Sequence, residues 1–117
     1  MTEQAVPGTT PLIPMPALTP AALRVAVAQI APAYLPAFGQ DLDQAAEQSA
    51  AQSTIAPLRT FLQWWGEFVA IQRIPARARR MHELETIADT ASDRAVLDVA
   101  VAEIQQILAA ARREVAA

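Results

Sequence analysis

His82, the only histidine of the chain, stands three residues before Glu85, so both side chains share one face of a helix. A pair of metal ligands would use this spacing. Two ligands do not make a site, however, and the sequence offers no cysteine and no second histidine to complete a tetrahedral set. We therefore interpret His82 as a surface residue and expect neither a metal nor a cofactor.

Three carboxylates, Asp41, Asp43 and Glu47, lie close together in a stretch that contains no base. Like charges at positions i and i+4, as in Asp43 and Glu47, repel each other. This repulsion can raise the pKa of one of the two carboxyl groups, as in the carboxylate pairs that serve as a catalytic acid and base. No serine has a histidine nearby to activate it, and the three glycines are too isolated to form a phosphate-binding loop. We interpret the carboxylates as a solvated face and expect no enzymatic activity.

Arginines are concentrated between residues 73 and 80, beside acidic stretches on both sides. Phosphate contacts from Arg73, Arg77 and Arg80 would make the protein a nucleic-acid-binding regulator. The cluster lacks interleaved aromatic residues, and the net charge of −3 would repel a polyanion. Pairing of these arginines with acids such as Glu83, four residues after Arg79, is the simpler interpretation. Binding of nucleic acid is therefore kept as an alternative.

Two adjacent tryptophans, Trp64 and Trp65, point about 100° apart on a helix, so both are buried only if the helix is packed on two sides. Trp65 lies in the middle of an apolar stripe, which predicts a core position. Trp64 lies at the edge of that stripe. An exposed Trp64 beside Ile71 would be a candidate anchor for a protein partner.

The length of 117 residues predicts one domain, and its composition, 53% apolar with no cysteine, excludes a disulfide-stapled scaffold. No run approaches the roughly 20 apolar residues that span a bilayer. The start of the chain has no basic residue and no hydrophobic stretch, so we expect no secretory signal and a cytoplasmic protein.

The positions of prolines and helix-capping residues predict a disordered Pro-rich tail over residues 1–18 and a single helical domain over 19–117. Helices are predicted from Thr19-Pro20, from Leu35-Pro36, over 55–74 after Ser53 or Thr54, from Pro75, and after Ser92 or Asp93. The pattern contains no strand-like alternation. The predicted fold is all-α, a small bundle of four to five helices.

Two helices have distinctive patterns. The helix over 55–74 is apolar around most of its circumference, which places it at the centre of the bundle. Gly66 in its interior favours the close approach of a neighbouring element. The last helix carries an a/d seam that packs either inside the bundle or against another chain. This seam consists of Leu97, Val101, Ile104, Leu108, Ala111 and Val115.

Short motifs between residues 35 and 65 carry a family resemblance. They are Leu35-Pro36-Ala37-Phe38, Ala56-Pro57-Leu58, Phe61-Leu62 and Trp64-Trp65. The chain from Thr19 to about Val115 resembles a family of short uncharacterised actinobacterial all-α proteins associated with RelE/ParE-type toxin genes. Gly39 departs from the polar or acidic residue expected after Phe38. The resemblance implies an antitoxin-like role and supplies no catalytic residues.

Three hypotheses follow. The first is a non-enzymatic helical protein-interaction module, antitoxin-like, that neutralises a small basic RNA-cleaving toxin through Asp41, Asp43, Glu47 and Trp64. An acidic face of this kind would occupy the positive surface that such a toxin needs for its substrate. The second is the nucleic-acid-binding regulator, and the third is a homo-oligomeric scaffold joined through the seam of the last helix.

Overall fold

A computed structural model describes residues 7–116, which contain five α-helices and no strand. The predicted all-α bundle is confirmed. A short 3₁₀ helix, Pro32–Tyr34, follows the first helix. The α-helices are α1 (Pro20–Ile30), α2 (Leu35–Gln52), α3 (Ala56–Gln72), α4 (Pro75–Thr90) and α5 (Arg94–Ala116).

The helices begin where capping side chains predict. Thr19 accepts a hydrogen bond from the backbone N–H of Ala22 at 3.1 Å, directly before Pro20. Thr54 and Asp93 accept from N–H groups two residues further on, at 3.2 and 2.8 Å. Ser53 has φ +52°, a left-handed conformation that ends α2. Caps of this kind therefore fix the starts of α1 and α5 and the end of α2, whereas α2, α3 and α4 begin with a proline in the first turn and no side-chain bond from the capping residue.

Helix α3 lies at the centre of the bundle and contacts every other α-helix. Phe61, Trp65 and Val69 are buried on the face that the apolar stripe predicts. Together with Phe38 they form half of the buried residues of a first core cluster, which joins α3 to α1 and α2. A second, smaller cluster joins α3 to α4 and α5. The predicted central position of this helix is confirmed.

The seam of α5 is used inside the chain over its second half. Ala111 is fully buried, and Ile104, Leu108 and Val115 pack against the second core cluster. Towards the start of α5, Val101 remains exposed. An oligomer joined through the whole predicted seam would therefore compete with the packing of the bundle itself.

The Pro-rich segment before α1 has no helix, as predicted, but from Gly8 to Leu18 it lies against the bundle; we call these residues the strap. Leu12 donates its N–H to the carbonyl of Arg73 at 2.7 Å, and the Gly8 carbonyl accepts the N–H of Ala76 at 2.9 Å. These partners lie just after α3 and at the start of α4, where backbone groups lack helical partners. The part of the predicted tail in residues 1–6 lies outside the described residues.

Apolar side chains of the strap reinforce these hydrogen bonds. Ile13 and Leu18 pack against the first core cluster, and Met15 packs against the second. A Cβ at Gly66 would lie 2.6 Å from a methyl group of Leu18 and 3.4 Å from one of Val115. The close approach predicted at Gly66 is therefore confirmed, and it involves the strap as well as α5.

Candidate protein-interaction surface

The two adjacent tryptophans occupy different environments. Trp65 is 2% exposed, as its position in the middle of the stripe predicts, and Trp64, whose edge position left burial and exposure open, is 57% exposed. Large side chains that are exposed to this extent are common at interfaces, because their burial against a partner removes a large apolar area from water. Trp64 is therefore the centre of the candidate surface.

Aromatic rings hold Trp64 in place. Its ring lies parallel to that of Phe68 at a centroid distance of 5.9 Å and meets Trp65 edge-on at 4.9 Å. Tyr34, half exposed, contacts Phe68 at 4.9 Å on the other side. The exposed rings are thus supported by buried ones, and little side-chain freedom remains to be lost on binding.

Asp41 is linked to this surface by a hydrogen bond from the buried Trp65. Its carboxylate accepts a hydrogen bond from the indole N–H of buried Trp65 at 3.1 Å. Asp41 and Trp64 also line one open groove between α2 and α3, of about 290 Å³. The prediction of Asp41 as a partner-binding residue is untested, but its carboxylate has a structural role as well.

Asp43 and Glu47 do not lie beside Asp41. Both are exposed, and helical geometry places them more than about 100° around α2 from Asp41. The predicted acidic face of three carboxylates is therefore divided: Asp41 faces Trp65, and the other two face away from it. This division follows from the helical repeat, which turns Asp43 and Glu47 away from the face on which Asp41 meets the buried indole of Trp65.

A second groove lies on the other side of Trp64, and we call it the aromatic groove. It has a volume of about 330 Å³ and is lined by Tyr34, Trp64, Glu67, Phe68, Ile71, Gln72, Met81, Glu85 and Leu108. Ile71 is buried there. It supports the floor of the groove rather than forming an exposed anchor beside Trp64, which corrects the sequence-based interpretation.

The sequence did not predict that Tyr34 and Glu85 line the aromatic groove. Tyr34 lies in the short 3₁₀ helix between two prolines, where no periodic pattern assigns a face. Glu85 was paired with His82, but His82 is exposed and Glu85 lies in the groove. Glu85 lies about three turns after the start of α4, and its place in the groove depends on the packing of α4 against α3.

Three of the four arginines of the 73–80 cluster, Arg73, Arg77 and Arg80, are engaged in ion pairs. Arg73 and Arg77 both bind Glu114 of α5, the latter at 2.7 Å. Arg73 also donates to the carbonyl of Ile13 at 3.3 Å, and Arg77 donates to that of Ala70 at 3.0 Å. These two guanidinium groups thus tie the strap, α3, α4 and α5 together. A phosphate would have to displace bonds that the fold uses.

Arg80 is more exposed and forms a two-pronged contact with Glu103, at 2.6 and 2.9 Å, and a further contact with Glu83 at 3.1 Å. The sequence predicted pairing with Glu83, but from Arg79 rather than Arg80. The hydrogen bonds that Arg80 donates to Glu103 and Glu83 raise the pKa of Arg80, and the bond from Arg80 lowers the pKa of Glu103. Nucleic-acid binding stays a prediction, and the three arginines that it would use form ion pairs within the chain.

Glu114 provides a test of this cluster. Desolvation would raise its pKa, but hydrogen bonds from Arg73 and Arg77 outweigh it and hold the pKa below its usual range. We expect Glu114→Gln to lower the free energy of unfolding at pH 7 by about 1–2 kcal/mol, because the carboxylate charge is lost and one of the two guanidinium donors faces an amide NH2 in place of its acceptor oxygen. The carboxylate contributes stability above the unfolded pKa of about 4.3, and this contribution is lost as pH falls through the lower folded pKa.

Urea unfolding of both proteins between pH 7 and pH 2 measures this difference, which should shrink in acid. Asp98→Asn is the matched control, since Asp98 forms an exposed ion pair with Arg94 at 3.2 Å. We expect the control to change stability by less than about 0.5 kcal/mol. Equal effects of the two substitutions would show that the Glu114 cluster is a solvated surface.

A second apolar surface lies at the opposite end of the α4–α5 pair. Leu84 and Ile87 of α4 and Val96 and Val99 of α5 line an open groove there, and Val99 is 69% exposed. The predicted homo-oligomer would use this region more readily than the buried part of the seam. Self-association stays a prediction.

Residues 7–116 contain no helix long and apolar enough to cross a membrane. The same residues contain no group of three His, Cys, Asp or Glu side chains placed to hold a metal ion. Comparisons with protein-family models, with curated proteins and with solved structures give no match. The fold and the aromatic surface therefore define the chain as a five-helix bundle with an exposed, rigidly held tryptophan.

Proposed function

We propose that this protein is a non-enzymatic helical protein-interaction module that binds a small basic protein through the surface around Trp64. The observation that carries the proposal is the exposure of Trp64 on a support of stacked aromatic rings. Tryptophans in such settings contribute disproportionately to binding energy. An unsupported, isolated apolar side chain would not argue for a partner in the same way.

The charge of two grooves beside Trp64 favours a basic partner, whereas a third groove beside it is lined by Arg59 and Arg112. Asp41 borders the groove on one side of Trp64, and Glu67 and Glu85 border the aromatic groove on the other. The chain as a whole has a net charge of −3. Opposite charge on a partner would speed association and select against acidic competitors.

An RNA-cleaving toxin is the partner that the family resemblance suggests, and the proposed role is antitoxin-like neutralisation in the cytoplasm. Such a toxin presents a positive surface to its RNA, and an acidic surface with a tryptophan anchor would cover it. The paired state of Arg73, Arg77 and Arg80 supports this proposal over the nucleic-acid alternative, because their charge is already compensated.

Native mass spectrometry of the tagged protein, isolated from its own host at low salt, tests the proposal. We expect a stoichiometric complex with a small basic protein, and we expect Trp64→Ala to lose it. Val99→Ala is the control, since Val99 is exposed in a separate groove between α4 and α5 that Trp64 does not line. A bare monomer, a homo-oligomer or a complex with nucleic acid would overturn the proposal.

Asp43 and Glu47 can be separated from Trp64 in the same assay. Reversing both to Arg alters exposed charges only, whereas Asp41→Arg would also remove the acceptor of the Trp65 indole. Loss of the complex in the double variant would extend the interface onto this face of α2. An unchanged complex would confine the interface to the surface around Trp64.

A further inference from the structure

The aromatic groove combines exposed rings with carboxylates, a combination that suits a cationic side chain. Tyr34 and Trp64, both at least half exposed, are held on either side of Phe68. Cations are attracted to the faces of such rings, and Trp gives the strongest attraction. The groove is open at this side, so a side chain of a partner has access to the rings.

The two carboxylates of the groove differ in their availability. Glu67 accepts hydrogen bonds from Gln63 at 2.8 Å and from Arg112 at 3.2 Å, so its charge is largely compensated. Glu85 is exposed and forms no ion pair with the residues that the structure describes. None of the described residues that line the groove is basic. The groove thus holds one uncompensated negative charge beside exposed aromatic rings.

The chain already uses this chemistry at a neighbouring aromatic ring. The guanidinium of Arg24 lies over the ring of Phe38 at 5.5 Å from its centroid. Phe38 in turn contacts Trp65, the neighbour of Trp64. The aromatic cluster therefore accepts a guanidinium from within the chain at Phe38, and none of the described residues that line the aromatic groove is an arginine.

We propose that the aromatic groove binds an arginine side chain of the basic protein partner, stacked on the exposed rings and paired with Glu85. This inference rests on the proposed function and names the group that the partner inserts. Arginine is favoured over lysine because its planar guanidinium stacks on an aromatic ring while its N–H groups still reach a carboxylate. The buried side chains Ile71 and Met81 offer apolar contact to its methylene groups.

Titration with N-acetyl-arginine amide, followed by the indole N–H signals in NMR, tests the groove without the partner. We expect a saturable shift of the Trp64 signal, with a Kd on the order of 1–10 mM, and little change of the buried Trp65 signal. Trp64→Phe assigns the two signals. We expect N-acetyl-lysine amide to bind at least about 2-fold more weakly and the apolar N-acetyl-norleucine amide to show no saturable shift.

Glu85→Gln should weaken arginine binding by about 3–5-fold, because the uncompensated charge is lost while the size of the side chain is kept. Glu47→Gln is the matched control; it makes the same change at an exposed acid of α2 outside the groove, and its Kd should equal that of the parent. Absence of a saturable shift, equal binding of norleucine amide, or equal effects of the two substitutions would overturn the inference.

Failure of the inference and failure of the proposed function give different results. A basic protein that co-purifies in a Trp64-dependent way, with no arginine binding in the groove, refutes only the arginine site. Saturable arginine binding with no protein partner in the host refutes only the proposed function. The small-molecule titration needs no knowledge of the partner, so the two experiments are independent.

Discussion

Trp65→Ala is expected to lower the free energy of unfolding by about 3–5 kcal/mol, the range for truncating a large buried aromatic side chain. Trp65 is 2% exposed and contacts the rings of Phe38 and Phe68 at 5.1 and 5.0 Å. Its removal leaves a cavity where α2 and α3 meet and leaves Asp41 without its indole donor. Since small domains are stable by about 5–15 kcal/mol, this is a large fraction of the total.

Urea unfolding followed by far-UV circular dichroism measures the effect. If the alanine variant does not fold, Trp65→Phe keeps most of the apolar volume and removes the N–H donor, and we expect it to cost about 1–2 kcal/mol. The matched control is Trp64→Ala, which deletes the same side chain one residue away. Because Trp64 is mostly solvated, we expect a loss of about 1 kcal/mol, from its ring contacts. Equal losses for the two tryptophans would contradict the assignment of Trp65 to the core.

The burial of Trp65 was predictable, because it depends on helical periodicity alone, whereas the edge position of Trp64 left its burial open. The apolar stripe through Phe61, Trp65 and Val69 assigns the buried face of α3 before any packing is known. Caps at Thr19 and Asp93 were predictable for the same reason, since a capping bond spans only two or three residues. Local rules thus account for the helices and for the burial of α3.

The candidate surface was predictable only in part. Trp64 was placed at the edge of its stripe, but Tyr34 and Glu85 come from elements whose positions depend on the packing of α3 against its neighbours. Asp41 was grouped with Asp43 because they are close in sequence, but residues two apart on a helix point to different faces, and only Asp41 reaches the Trp65 indole. Pairing of Arg73 and Arg77 with Glu114 links residues about 40 positions apart, which no local pattern indicates.

The packing of the strap against the bundle was also not predictable from local sequence patterns. It leads to the second large expected effect. We expect the double substitution Ile13→Ala and Leu18→Ala to lower the free energy of unfolding by about 2–4 kcal/mol, less than two full deletions because both side chains are only partly buried. A disordered tail would contribute nothing to stability. Proline content indicates an extended backbone, but docking depends on unpaired groups between α3 and α4 that appear only when the bundle forms.

Leu12→Ala is the matched control, because it makes the same kind of truncation within the strap at a side chain that is 60% exposed. Its backbone N–H still donates to Arg73, so we expect a change below about 0.5 kcal/mol. Hydrogen exchange gives an independent measurement: the amides of Leu12 and Ala76 should exchange faster in the double variant than in the parent and the control. Unchanged unfolding and exchange in the double variant would show that the segment is a free tail in solution. A loss confined to the double variant would mean that the Pro-rich segment is an integral part of the fold, closing the break between α3 and α4.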